Sequence, residues 1–190
     1  MKILAILGTG RTNGNSMRAL RSVMDNIDKE DNSIDLVYLG KLKTLRHCIG
    51  CDGCKTNQNV CVLKDDLIDV IEKTRKADVV LVASPIYYFG LNAMVKTYID
   101  RTFYSSEGIT EKSGLLAAKR FGFIFTYGGA DVYEAGAINA MNTVKDIANY
   151  VGFELLPILY GAASDERGPD KKMLNACKKL GKAVSRMQIH

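Results

Sequence analysis

The sequence predicts a doubly wound α/β fold, a five-stranded parallel sheet of order 2-1-3-4-5 with helices on both faces. Three observations carry this. Short apolar runs bounded by Gly, Pro or Ser recur at Lys2 to Leu7, Ile34 to Leu39, Val79 to Ala83, Phe121 to Tyr127 and Phe153 to Tyr160. Stretches of helical periodicity alternate with them, and parallel strands are what such crossovers connect. The second run carries Asp35 and the fifth carries Pro157, which cannot donate to a ladder, so both runs belong at sheet edges.

Taken in chain order, the first run leads to a stripe of Met17, Leu20, Met24 and Ile27, and the second leads eventually to Leu67, Val70 and Ile71. The third is followed by Leu91, Met94, Val95 and Tyr98, and the fourth by Ile138, Met141, Val144, Ala148 and Val151. After the fifth come Met173, Cys177, Leu180, Val184 and Met187, where Cys177 reads as core packing. The 190 residues, 47% hydrophobic, suffice for one domain with its own core spanning the chain. Gly40 to Lys64 and Ser105 to Lys119 are non-periodic and read as inserted loops, and the terminal His190 reads as disordered.

The apolar start, Ile3 to Leu7, is too short for a signal-peptide core or a membrane span, so a soluble, cytoplasmic protein with no membrane partner is expected. The net charge of +5 comes from Lys and Arg scattered along the helices, neither gathered in a run nor interleaved with aromatics. That argues against nucleic acid and for anionic cofactors.

Gly8, Thr9, Gly10, Arg11, Thr12, Asn13, Gly14, Asn15 and Ser16 follow the first strand and open the first helix, where backbone N–H groups and the helix dipole favour an anion. A dinucleotide fingerprint fails because position 13 is Asn, and a P-loop fails because Gly14 is followed by Asn15 and Ser16. What remains is rich in hydroxyl, amide and guanidinium groups that can surround a terminal phosphate, which suits FMN better than NAD.

In a 2-1-3-4-5 sheet the ligand crevice lies between strands one and three, so it meets Ser84, Pro85, Ile86, Tyr87, Tyr88, Phe89 and Gly90. The three consecutive aromatics suit a flat heterocycle or a dimer interface. The fourth strand ends in Thr126, Tyr127, Gly128, Gly129 and Ala130, where paired glycines let a backbone approach a ligand edge.

Cys48, Cys51, Cys54 and Cys61 form C-x2-C-x2-C-x6-C, with Gly50 and Gly53 just before the second and third. Three thiols in steps of three followed by a remote fourth is the ferredoxin style of ligation, so an iron–sulfur cluster leads over zinc or bare thiols. Lys43, Arg46, His47 and Lys55 surround the motif, with His47 a neighbour rather than a ligand.

The loops at Gly8 to Ser16 and Ser84 to Tyr87 resemble those of the NAD(P)H-dependent FMN reductases and multimeric flavodoxins, and the cysteine motif resembles that of their iron–sulfur flavoprotein subgroup. The resemblance implies a flavodoxin-like three-layer sandwich. It implies that Thr9, Arg11, Asn13, Asn15 and Ser16 bind the FMN phosphate, and that Pro85, Ile86, Tyr87, Tyr88 and Phe89, with Thr126, Gly128 and Gly129, frame the ring. It further implies a 4Fe-4S cluster at Cys48, Cys51, Cys54 and Cys61.

The expected function is FMN-dependent NAD(P)H oxidation, with electrons passing to a small-molecule or protein acceptor and no acid or base residue assigned. The rivals are a non-catalytic flavodoxin-type carrier fed by ferredoxin and a flavin-free zinc-binding interaction protein. The aromatic loop, the 105–119 insertion and the resemblance together predict a homodimer or homotetramer.

Overall fold

The computed structural model describes residues 1–106, 116–164 and 168–187. Its strands are β1 (Lys2–Leu7), β2 (Ser33–Tyr38), β3 (Val79–Tyr87), β4 (Gly90–Leu91), β5 (Arg120–Tyr127), β6 (Glu154–Leu155), β7 (Leu159–Ser164) and β8 (Gly168–Pro169). The helices are α1 (Asn15–Met24), α2 (Gly53–Thr56), α3 (Leu67–Lys76), α4 (Ala93–Ser106), α5 (Ala137–Val151) and α6 (Lys171–Ser185). The five long strands run parallel in the order β2-β1-β3-β5-β7, which is the 2-1-3-4-5 order expected. Among the described residues, no helix is long and apolar enough to cross a membrane.

Side chains alternate across each strand, so β1 feeds two cores at once. Leu4 and Ile6 join the core under α3, α4 and α5, packed against Leu67, Val70, Tyr98, Ile99 and Val144. Ile3, Ala5 and Leu7 join the core under α1 and α6, with Met17, Leu20, Met173 and Cys177. Gly181 lets those two helices close up, because a Cβ there would lie 2.3 Å from the Val23 carbonyl oxygen. Cys177 is fully buried, as expected, and burial pushes its thiol up to about 11.

The sheet departs from expectation at its fifth and third runs. The fifth run breaks into β6 and β7, with Pro157 in the gap instead of on an edge ladder. A residue without an N–H ends the pairing there. The edge beyond β7 is closed by the antiparallel β8, which brings the sheet to eight strands among the described residues. β3 does not stop at Ala83 but continues to Tyr87 and folds back as a hairpin with β4, pairing Ile86 with Leu91 and Tyr87 with Gly90. α4 extends to Ser106, and most of the expected 105–119 loop, like His190, lies outside the described residues.

The basic residues are also less scattered than their sequence positions imply. Lys171, Lys172, Lys178, Lys179 and Lys182 are all exposed on α6, and Arg18 and Arg21 are exposed on the neighbouring α1. α1 packs on α6, so exposed basic residues from two distant segments lie on neighbouring helices.

Candidate functional site

The loop between β1 and α1 is fixed by close backbone contacts. The Gly8 N–H donates to the Ala83 carbonyl at 2.8 Å, and a Cβ on Gly8 would lie 2.1 Å from Val95 Cγ2. Gly40, in the short 3-10 turn Leu39–Lys41, presses on the loop from the other side. A Cβ there would lie 2.5 Å from Gly10 Cα and 2.7 Å from the Thr9 carbonyl oxygen. Thr9 is buried, and its Oγ1 accepts the Arg11 N–H at 3.2 Å. Gly14 caps α1 without a side-chain hydrogen bond, and the N-terminal end of a helix favours an anion. Ser16 Oγ and Thr126 Oγ1 share a buried hydrogen bond of 2.7 Å, which joins this loop to the end of β5.

The facing wall is the β3–β4 hairpin. Its two turn residues, Tyr88 and Phe89, hold φ of 43° and 66°, the left-handed pair that a two-residue hairpin turn usually gives to Asn-Gly. Such backbone costs about 1–3 kcal/mol at a side-chain-bearing residue and persists only where the surroundings enforce it. Here Asn139 Nδ2 donates to the Phe89 carbonyl at 2.9 Å. Gly136, itself at φ +67°, allows the α5 entrance to approach within 2.4 Å of Phe89 when measured from a hypothetical Cβ.

Between these walls and the end of β5 lies an open cleft of about 200 Å³. Of the residues expected there, Thr9, Arg11, Asn15 and Ser16 line one end, Pro85, Ile86 and Tyr87 another, and Thr126 and Gly128 the third side. Asn13 is exposed, neither Asn13 nor Gly129 lines the cleft, and Tyr88 and Phe89 stand at the hairpin tip, Tyr88 being 99% exposed. Gly14, Tyr127 and Ala163 also line the cleft, and Ala163 comes from the strand beyond Pro157 that the sequence pattern did not separate. Burial, and then the nearby Asp170, Tyr160 and Asp131, raise the Tyr127 hydroxyl above its ordinary value.

The cysteines meet elsewhere. Cys48, Cys51, Cys54 and Cys61 line one small cavity with Arg101 and Tyr104, and all are free thiols. Gly50, Asp52, Gln58 and Asn59 have positive φ, so the loop curls repeatedly around it. Cys51 is exposed and Cys54 buried, and burial raises the Cys54 thiol while Lys55 partly offsets the rise. Among the described residues, no group of three or more His, Cys, Asp or Glu side chains is arranged to hold a metal ion. The four thiols share one cavity. His47 is exposed and does not line the cavity.

Sequence reasoning missed what fastens this loop. The Arg101 guanidinium, fully buried on α4, donates to Asp65 Oδ2 at 2.5 Å, to the Arg46 carbonyl at 2.9 Å and to the Leu63 carbonyl at 3.2 Å. Arg46 precedes the cysteines and Leu63 follows them, so one side chain ties both ends of the loop to α4. The Tyr104 hydroxyl donates to Asp52, and this hydrogen bond, followed by the carboxylate's charge, pushes the hydroxyl up to about 12.

A parallel 2-1-3-4-5 sheet with its cleft above strands one and three defines a flavodoxin-like protein. The chain belongs to the family of flavodoxin-like fold, which matches residues 1–183. It is 29% identical over 171 residues to an iron-sulfur flavoprotein of Archaeoglobus fulgidus, covering 87% of this chain and 73% of that one. It is 32% identical over 118 residues to an FMN-dependent NADH:quinone oxidoreductase of Hydrogenovibrio crunogenus, covering 57% of each. Among solved structures it resembles an FMN-dependent NADH-azoreductase from Bacillus anthracis in complex with FMN, with a TM-score of 0.67 at 15% identity over 97% of each chain. At that identity the likeness speaks for the fold.

Proposed function

We propose that the cleft binds FMN and that the chain, as one domain, is an FMN-dependent NAD(P)H oxidoreductase. The observation that carries this reading is a single cleft with an anion-ready pole, the uncapped start of α1 with Thr9 and Arg11, facing a hairpin wall at Tyr87. The residues present fit the group. Thr9, Arg11, Asn15 and Ser16 would hold the phosphate, while Pro85, Ile86 and Tyr87, with Thr126 and Gly128, would border the ring. Asn13 and Gly129 would flank the two ends, and Tyr88 and Phe89 at the rim would meet the acceptor or a second subunit. FMN held there would supply the redox chemistry, hydride acceptance from a reduced nicotinamide and release of electrons singly or in pairs. The chain's own residues bind, orient and exclude water. The names of the Hydrogenovibrio and Bacillus proteins support the reading.

Arg11→Ala is expected to weaken FMN binding by about 1.5–3 kcal/mol, the worth of a charged hydrogen bond. Fluorescence titration measures it, and unchanged affinity would remove Arg11 from the phosphate site. Stopped-flow mixing of the FMN-loaded protein with NADH and NADPH tests the activity. Rapid bleaching supports an oxidoreductase, whereas a flavin that stays oxidised with both supports a carrier fed by ferredoxin.

A second reading rests on the shared cavity of Cys48, Cys51, Cys54 and Cys61 and on the name of the Archaeoglobus relative. It places a 4Fe-4S cluster on these thiols. Anaerobic purification with visible spectroscopy and assays of iron, sulfide, zinc and flavin decides it, since flavin without iron leaves the oxidoreductase with plain thiols. A cytoplasmic location and a homodimer or homotetramer complete the proposal. Light scattering of the flavin-loaded protein tests the assembly, and a monomer would refute it.

A further inference from the structure

Asn92 lies between β4 and α4, outside the cleft lining and 5% exposed. Its Nδ2 donates to the Gly8 carbonyl at 2.7 Å, to Ser84 Oγ at 3.0 Å and to the Pro85 carbonyl at 3.4 Å. Its Oδ1 accepts the Val95 N–H at 3.1 Å and so caps the start of α4. Acceptors on one side and a donor on the other fix which way the amide points. One buried side chain thus joins the first residue of the phosphate loop, the ring-side end of β3 and the helix that packs beneath both.

We infer that Asn92 is the positioning residue that sets the phosphate loop at its working distance from the ring wall, and through this selects FMN over unphosphorylated flavin. The inference rests on the proposed binding of FMN in the cleft.

The two sides of the joint are not held equally. Ser84 and Pro85 are also paired in the β3–β5 ladder, with Phe125 and Thr126, and Ser84 Oγ donates to the Pro85 carbonyl at 2.9 Å. The Gly8 peptide is anchored through its N–H to Ala83 and through its carbonyl to Asn92. Removing the amide therefore releases chiefly the phosphate side. A buried carbonyl left without its donor tends to move towards water.

The test uses the full chain with Asn92→Ser and Asn92→Asp. Both keep an oxygen that can cap α4, and neither supplies the amide that spans the joint. Dissociation constants for FMN and riboflavin are measured for each, beside thermal unfolding of the flavin-free protein. The wild type should prefer FMN. In both variants the FMN constant, expressed per folded molecule, should rise about tenfold while the riboflavin constant changes less than about threefold. Flavin-free unfolding should come earlier in both, and more so in Asn92→Asp, whose carboxylate would face buried carbonyl oxygens, and it reports the folded fraction.

Asn92→Ser carries no charge, so its loss of preference cannot come from repulsion of the phosphate. A preference kept within about twofold of wild type in both variants, or equal weakening of both flavins, would show a cap or a general support and overturn the inference. A wild type that binds riboflavin as tightly as FMN would instead fail the phosphate-site reading itself, and the role of Asn92 with it.

Discussion

Alanine at position 40 is expected to cost the protein its FMN while leaving most of its stability. The added Cβ would lie 2.5 Å from Gly10 Cα, 2.7 Å from the Thr9 carbonyl oxygen and 2.8 Å from Gly10 N. All three are backbone atoms, so no side-chain rotation relieves the clash. One segment must shift. Gly40 follows the fully buried Leu39, and of the two residues its Cβ would meet Gly10 is exposed, so the loop between β1 and α1 is expected to shift about Gly10. Overpacking of this kind costs about 1–3 kcal/mol when it strains a core, and less where a surface loop absorbs it. A displaced loop loses its charged and backbone hydrogen bonds to the phosphate together, which at about 3 kcal/mol amounts to about a hundredfold in affinity. Gly10→Ala is the control, because a Cβ there meets nothing within 4 Å. Fluorescence titration of FMN with the three proteins, beside urea unfolding, measures both effects. A Gly40→Ala protein with wild-type FMN affinity would mean that the loop between β1 and α1 does not hold the phosphate.

That contact illustrates what the sequence made legible and what it hid. The five parallel strands and their order followed from apolar runs alternating with helical stripes, because those periodicities are set by local geometry. That the loop between β1 and α1 would line the cleft was legible because an anion site at a strand-to-helix junction needs Gly and small polar residues in one continuous stretch. The hairpin was hidden because its turn uses Tyr88 and Phe89 where left-handed backbone usually calls for Asn-Gly, so tertiary bracing by Asn139 and Gly136 overrides local preference. The break of the fifth run was signalled by Pro157, but whether a proline marks an edge or a gap depends on neighbours the sequence does not show. Gly40, Asn92 and Arg101 act on segments far from them in the chain, and each looks locally like an ordinary turn, cap or helix-surface residue. The cysteines were correctly gathered to one place, yet their spacing could not show that Arg101 closes the loop around them.

Breaking that closure is expected to give the largest loss of stability in the molecule. The side chains of Arg101 and Asp65 are both 0% exposed and 2.5 Å apart. Removing one member of a buried ion pair strands the other charge and costs about 3–5 kcal/mol. For a domain of this size that corresponds to a fall in Tm of about 6–20 °C, at about 2–4 °C per kcal/mol. Arg101→Leu and Asp65→Leu should each show it. Arg101→Lys should recover little, since one ammonium cannot reach Asp65, the Arg46 carbonyl and the Leu63 carbonyl with the planar fork that Arg101 uses. The double Arg101→Leu, Asp65→Leu protein strands no charge and should be markedly more stable than either single variant, although the Arg46 N–H and the two carbonyls still lose partners. The damage should also be directional. Arg101 holds the loop on both sides of the cysteines but does not line the flavin cleft, so alkylation of Cys54 should approach the rate of exposed Cys51 while FMN affinity per folded molecule holds. Thermal unfolding with and without FMN, and mass spectrometry of alkylated peptides over time, separate the two effects. If Arg101→Leu stays within about 1 kcal/mol of wild type, the pair contributes no more than a surface salt bridge and something else closes the loop.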